Sequence, residues 1–246
     1  PALKKSPKAP AGEFKRQNMV GIGTGVANIA EWGSFNLTFA IATLVSLDSG
    51  TVYGLTVQMM GVAFMIYVGM GTATSVRVAE RFGRGDGVGV REASRLGVVA
   101  STLLGLILAT TLILLRDPIA VTWLNGSEVA SEGAHLVPQL SLMLAAVAFV
   151  TLFDGLQAVG SMALRAQGVV WIPTAIYIGR YVFVMLPLCW WLALHTSYGV
   201  WGVIIGISIA SIVAGVGQVL ALEIRTTRIA RFGLPKDAQA SVVVGH

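Results

Sequence analysis

Charge is what this sequence has least of. Only 12% of its 246 residues are Asp, Glu, Lys or Arg, about half the share of an ordinary soluble domain. A soluble domain of this length needs a charged surface, and this chain cannot supply one. Cysteine is nearly missing too: Cys189 stands alone, which excludes an internal disulfide and any Cys-based metal site. The sequence has no GxxxxGKS/T loop to cradle the phosphates of ATP, and no HExxH or Cys/His ligand spacing. An intramembrane aspartyl protease would need two aspartates deep in apolar segments, and only Asp154 qualifies. No cofactor or structural metal is expected, and the chain does not read as an enzyme.

What is abundant is apolar: 55% of residues are hydrophobic and the mean hydropathy is +0.76. They come in blocks long enough for helices crossing a hydrocarbon core roughly 30 Å thick. Six such blocks run at about 19–45, 52–76, 96–115, 137–164, 173–194 and 199–223. A closed barrel would show short segments of alternating hydrophobicity instead. The expected fold class is therefore all-α, an integral membrane six-helix bundle. The breaks carry turn chemistry: LDSG (47–50) as a tight turn, RFGRGDGVG (81–89) as a Gly-rich loop, and RAQGVVWIP (165–173) leading to a proline that opens the next helix. Pro187, inside the fifth block, is expected to bend that helix. Scattered glycines, as in GVWGVIIG (199–206), allow close helix approach.

The net charge of +5 does not point to nucleic acid, because the basic residues lie between apolar blocks rather than in a patch interleaved with aromatics. They fix orientation instead. Lys4, Lys5, Lys8, Lys15 and Arg16 share one side with Arg77, Arg81, Arg84, Arg91, Arg95, Arg165, Arg225, Arg228, Arg231 and Lys236; the other side has Arg116. The positive-inside rule then puts both termini in the cytoplasm of a multi-pass cell-membrane protein. The expected organisation is a basic cytoplasmic linker (1–18), a six-helix lobe (19–224) and a cytoplasmic tail (225–246). Pro1 rather than Met at the start reads as a piece of a longer chain.

Acidic groups are almost absent from the blocks, so Glu31 and Asp154 stand out. A charge at bilayer depth costs about 2.5–3.5 kcal/mol on insertion scales, and persists where it faces a cavity or a partner. At 100° per residue Thr24, Asn28, Glu31, Ser34 and Thr38 share an arc of about 120°. Thr151, Asp154, Gln157 and Ser161 likewise share a face of the fourth helix. Two carboxylates flanked by hydroxyls and amides are suited to line a polar cavity and to exchange protons there. The plainer reading is a pair of carboxylates that only bond neighbouring helices. Arg180 has two readings of equal weight: snorkelling to the headgroups, or an ion pair with Asp154 or Glu31. Trp32, beside Glu31, can line a cavity; the other tryptophans sit mostly near block ends as interface anchors. His135 and His195 fall near the outer surface and read as solvated.

The run GVAFMIYVGMGTATSVRVAERFGRGD (61–86) resembles the second helix in the C-terminal half of multidrug and toxic compound extrusion (MATE) transporters. Glu31 in GVANIAEWGSF matches the glutamate of that family's seventh helix. LFDGLQAVGSMALRAQG (152–168) resembles its tenth-helix segment, in the NorM-like branch particularly, and PLCWWLALHTSYGVWGVIIG (187–206) its last helical pair. The resemblance covers about residues 15–225. It implies one lobe of a twelve-helix antiporter that exports small cationic amphiphiles, a missing N-terminal six-helix lobe as partner, and membrane lipid around both. The resemblance carries over Glu31 and Asp154; with Asn28, Ser34, Gln157 and Thr151 from their polar stripes, and Arg180, which replaces a usually uncharged residue, these are the candidate ion and substrate residues. Na+ at Glu31 and Asp154 is open, but Val150 stands where some sodium-coupled members carry a tyrosine, which favours H+. A lipid-linked oligosaccharide flippase of the same superfamily and a non-transporting membrane subunit are the rival readings.

Overall fold

The computed structural model describes residues 13–125 and 133–234. Lys4, Lys5, Lys8 and Lys236 lie outside them. The described chain is helical almost throughout, as membrane-spanning backbone must be where no water can satisfy its N–H and C=O groups. In order come α1 (Glu13–Val45), α2 (Leu47–Gly83), α3 (Gly87–Leu114), α4 (Arg116–Asn125), a single 3₁₀ turn (Ala134–Leu136), α5 (Val137–Ala166), α6 (Trp171–Ile178), α7 (Leu186–Leu194) and α8 (Val200–Phe232). A wide π-helical stretch, Gly179–Met185, joins α6 to α7, so that Trp171–Leu194 forms one continuous span.

Among the described residues, five stretches are long and apolar enough to cross a bilayer: α2, α3, the 3₁₀ turn with α5, α6 through α7, and α8. The sixth long helix, α1, has 33 residues, about 50 Å at 1.5 Å per residue. Asn28, Glu31, Ser34 and Asn36 lower its apolarity. The short α4 has no counterpart among the predicted blocks. Its sequence RDPIAVTWLN is half apolar and merges with the end of the third block when only composition is read. Helix also runs past the expected boundaries, starting at Glu13 and ending at Phe232, since hydrocarbon thickness limits a span without limiting the helix that carries it.

Two breaks differ from the sequence reading. LDSG is no turn but the opening of α2: Ser46 caps the helix by accepting the Ser49 N–H at 3.0 Å, and Asp48 sits favourably in the first turn. The residues that favour turns also favour helix starts. In RFGRGDGVG the helix persists to Gly83 and the chain reverses within Arg84–Asp86. Gly85 takes φ 75° there, a conformation that suits glycine. Asp86 then caps α3 through the Gly89 N–H at 2.8 Å. That bond and, secondarily, Arg81 at 3.0 Å hold the Asp86 carboxyl below its ordinary value.

α5 is the centre of the bundle, packed by α2, α3 and α8, while α1 lies at the periphery against α2, α6 and α7. Side-chain bonds tie the alternating ends together. At one end Arg91 and Arg95 of α3 grip Glu223 of α8, at 2.9 and 2.5 Å. At the other, His135 before α5 meets Asp48 of α2 at 3.2 Å, so His135 is exposed but not merely solvated. Many exposed positions on the long helices are large and apolar, among them Leu44, Ile107, Leu114 and Ile224.

Close approach is built from glycine where α7 turns back on α8. A Cβ at Gly202 would sit 2.5 Å from the Leu192 carbonyl carbon, and backbone cannot step aside as a side-chain tip can. Gly202→Val is expected to destabilise the bundle by about 1–3 kcal/mol, the usual range for overpacking. A lowered thermal unfolding midpoint in detergent checks this.

A buried charge network between α1, α5 and α8

The site is assembled by the wide turn between α6 and α7. Pro187, in the first turn of α7, has no N–H to donate four residues back, so the carbonyl of Phe183 loses its helical partner. The expected bend takes the form of a π-helical stretch, Gly179–Met185. Such a stretch rotates successive side chains less than an α-helix does, and π insertions recur at functional sites. Within it, consecutive residues Arg180 and Tyr181 are both buried, 2% and 0% exposed.

Arg180 does not snorkel. Its Nη2 lies 3.1 Å from Asp154 Oδ1 and donates to Ser211 Oγ at 2.8 Å, and its Nη1 donates to Gln157 Oε1. Ser211 in turn donates to Asp154 Oδ1 at 3.1 Å. The guanidinium stacks over the Tyr181 ring, 4.5 Å from its centroid. A buried charge is tolerable when paired and hydrogen-bonded in this way. Tyr181 continues the chain outward: its O–H donates to Glu31 Oε1 at 2.7 Å. Two carboxylates on different helices are thus joined through two neighbouring residues of a third.

The predicted residues divide accordingly. Glu31, Asp154, Gln157 and Arg180 come together. Thr151 is adjacent and buried, and its O–H donates to Ala148 O at 2.8 Å. Ser34 and Thr38 are buried against the neighbouring helix, with Thr38 Oγ1 and Tyr53 Oη 2.6 Å apart. Asn28 is exposed on α1, outside the network. The α1 stripe therefore does not face one space: it winds from an exposed end, through the half-buried Glu31, into the α1–α2 contact.

Sequence reasoning missed Tyr177, Tyr181, Ser211 and the inward turn of Arg165. The Arg165 guanidinium, expected at the membrane surface, lies 6.0 Å from the Tyr177 ring centroid and is an electrostatic neighbour of Glu31. The one available signal was the spacing of Tyr177 and Tyr181, a helical turn apart and bracketing the Arg180 position. A separate groove of about 330 Å³ between α2 and α3, lined by Arg77, Arg81 and Arg84, lies at the arginine-rich end and includes neither carboxylate.

Long apolar helices around a buried, charge-balanced network define a multi-pass α-helical membrane domain of transporter type. The MatE family model matches residues 24–191, and the chain belongs to that family, the multidrug and toxic compound extrusion transporters, in its NorM-like branch. Among curated relatives, a probable multidrug resistance protein NorM of Bradyrhizobium diazoefficiens is 31% identical over 199 residues, covering 80% of this chain and 42% of that protein. A protein of the same description from Caulobacter vibrioides is 28% identical over 201 residues, covering 80% of this chain and 41% of its own length. The fold matches an outward-facing multidrug resistance MATE family transporter of the MOP superfamily with a TM-score of 0.82 at 16% identity, over 91% of this chain and 49% of that one. For the eukaryotic MATE transporter AtDTX14 the TM-score is 0.72 at 22% identity, over 89% and 48%. The chain spans less than half the length of these curated relatives and about half of each solved structure.

Proposed function

We propose that this chain is the C-terminal lobe of an antiporter that exports drugs and other organic cations in exchange for protons, with both ends of the chain in the cytoplasm. The observation that carries the proposal is Glu31, a half-buried carboxylate in mid-helix. It receives a neutral phenol on one side and borders the exposed Asn28, Trp32 and Asn36 of α1 on the other. A second lobe laid against that face would close a cleft with Glu31 in its wall. A cationic, partly apolar solute finds there a carboxylate and, in Trp32, an aromatic surface for a cation–π contact.

In this reading proton and drug compete for one carboxylate, which links their flows. The two lobes rock so that the shared site opens to one side and then the other. The relatives' descriptions as multidrug resistance proteins support the substrate class. A flippase for an anionic lipid-linked sugar would need uncompensated cations; the charge of Arg180 is already met by Asp154, and Arg165 faces the carboxylate of Glu31.

The test is flux in proteoliposomes holding the two-lobe protein. An imposed proton gradient should drive uptake of tetraphenylphosphonium, and a sodium gradient at equal pH should not. Sodium-driven uptake without a proton gradient would overturn the choice of ion; no uptake with either would overturn the proposal.

A further inference from the structure

Resting on the reading of Glu31 as the exchanging carboxylate, we infer that Arg180 acts as a tethered cation occupying Asp154, so that the lobe exchanges ions at Glu31 alone. The sequence suggests two equivalent acids. The geometry makes them unlike.

Asp154 is 8% exposed and its Oδ1 already accepts from both Arg180 Nη2 and Ser211 Oγ. Arg180 is in turn held by Gln157 and Ser211, with Tyr181 over its face. A proton or a metal cation arriving at Asp154, even at Oδ2, would cancel the counter-charge of a guanidinium that cannot diffuse away. It would leave the guanidinium charge buried in a low-dielectric interior with only neutral hydrogen-bond partners, Gln157 and Ser211. Among the described residues, Glu31 accepts a single hydrogen bond, and its donor, Tyr181, is neutral. Binding a proton there separates no ion pair.

The groups around each acid fit this division. Asp154 is faced by Arg180 and Tyr181 from the wide turn, Ser211 from α8, Tyr67 from α2 and Glu31 from α1. Glu31 is faced by Tyr181 and Arg180 from the wide turn, by Tyr177 from α6, and by Asp154 and Arg165 from α5. Counting Arg165, the cluster holds two cations and two anions, so the resting site is balanced without a bound ion. Loading Glu31 then changes the charge of the whole cluster by one. Tyr181 reports that change to Arg180: its O–H donates to an ionised Glu31, and its oxygen can accept from a protonated one, while its ring lies against the guanidinium.

Infrared difference spectroscopy of the full-length transporter tests this without requiring transport. Acidification is expected to produce a protonated-carboxyl C=O band that Glu31→Gln removes and the charge-neutral double variant Asp154→Asn/Arg180→Gln keeps. The single variant Arg180→Gln, where it folds, should add a second such band by freeing Asp154. A band that survives in Glu31→Gln with no loss, or that disappears in the double variant, overturns the inference. If the bands behave as expected and Glu31→Gln still exports organic cations, the assignment of Glu31 as the sole titrating acid stands and the transport reading fails.

Discussion

Replacing Arg180 by alanine is expected to destabilise the folded bundle by about 3–5 kcal/mol, the range seen when one partner of a buried ion pair is removed. Three losses coincide. Asp154 keeps its place in the interior without a counter-charge, Gln157 and Ser211 each lose a charged partner, and the Tyr181 ring loses the cation above it. The pairing is not worth that much in itself, because desolvating two ions offsets most of their attraction. The cost comes from stranding the survivor. Asp154→Asn combined with Arg180→Gln should therefore recover most of the lost stability, as no bare charge is left. Thermal unfolding of the purified protein in detergent checks both statements. An unchanged midpoint in Arg180→Ala would mean that Asp154 finds another counter-ion or never carries a charge.

Much of this architecture is legible in the residues. Apolar blocks mark the long helices, and Glu31 and Asp154 stand out because an acid within a span needs a reason. The proposed orientation rests on the Lys and Arg asymmetry, and the proposed function on the two acids together with the family. What failed to show has particular causes. Ser46–Gly50 looks like a turn because Ser, Asp and Gly serve both turns and helix starts; only the backbone shows that Ser46 caps α2. α4 is hidden by a composition that continues the block before it.

The site was half legible. Glu31, Asp154, Gln157 and Arg180 can be picked out as polar residues in apolar surroundings. Whether Arg180 reaches the surface or the core could not be decided, since that depends on helix rotation. Rotation there is altered by the wide turn ahead of Pro187, which the sequence shows only as a proline. Tyr181 showed only its one-turn spacing from Tyr177, and Ser211 gave no signal, since a serine in a transmembrane helix is commonplace. The stripe through Asn28, Glu31 and Ser34 misled for a related reason. Polar residues on one arc share a helix face, but α2 covers only part of that face, so Ser34 is buried and Asn28 is not.

The second large effect concerns Glu31→Gln. Glutamine matches glutamate in shape, and its amide oxygen can still accept the Tyr181 O–H, so the contact between α1 and the wide turn survives. What it loses is the capacity to carry a charge or to trade a proton. Folding should be nearly unaffected, and coupled export should fall to background, because the substituted side chain neither attracts a cation nor binds one in competition with a proton. A structural carboxylate would give the opposite pattern, with stability affected and export spared.

The decisive measurement is therefore efflux of a fluorescent organic cation from cells expressing the two-lobe protein, wild type against Glu31→Gln, at matched amounts of folded protein in the membrane. The account predicts export by the wild type and none above background by the variant. Export by Glu31→Gln at the wild-type rate would contradict it.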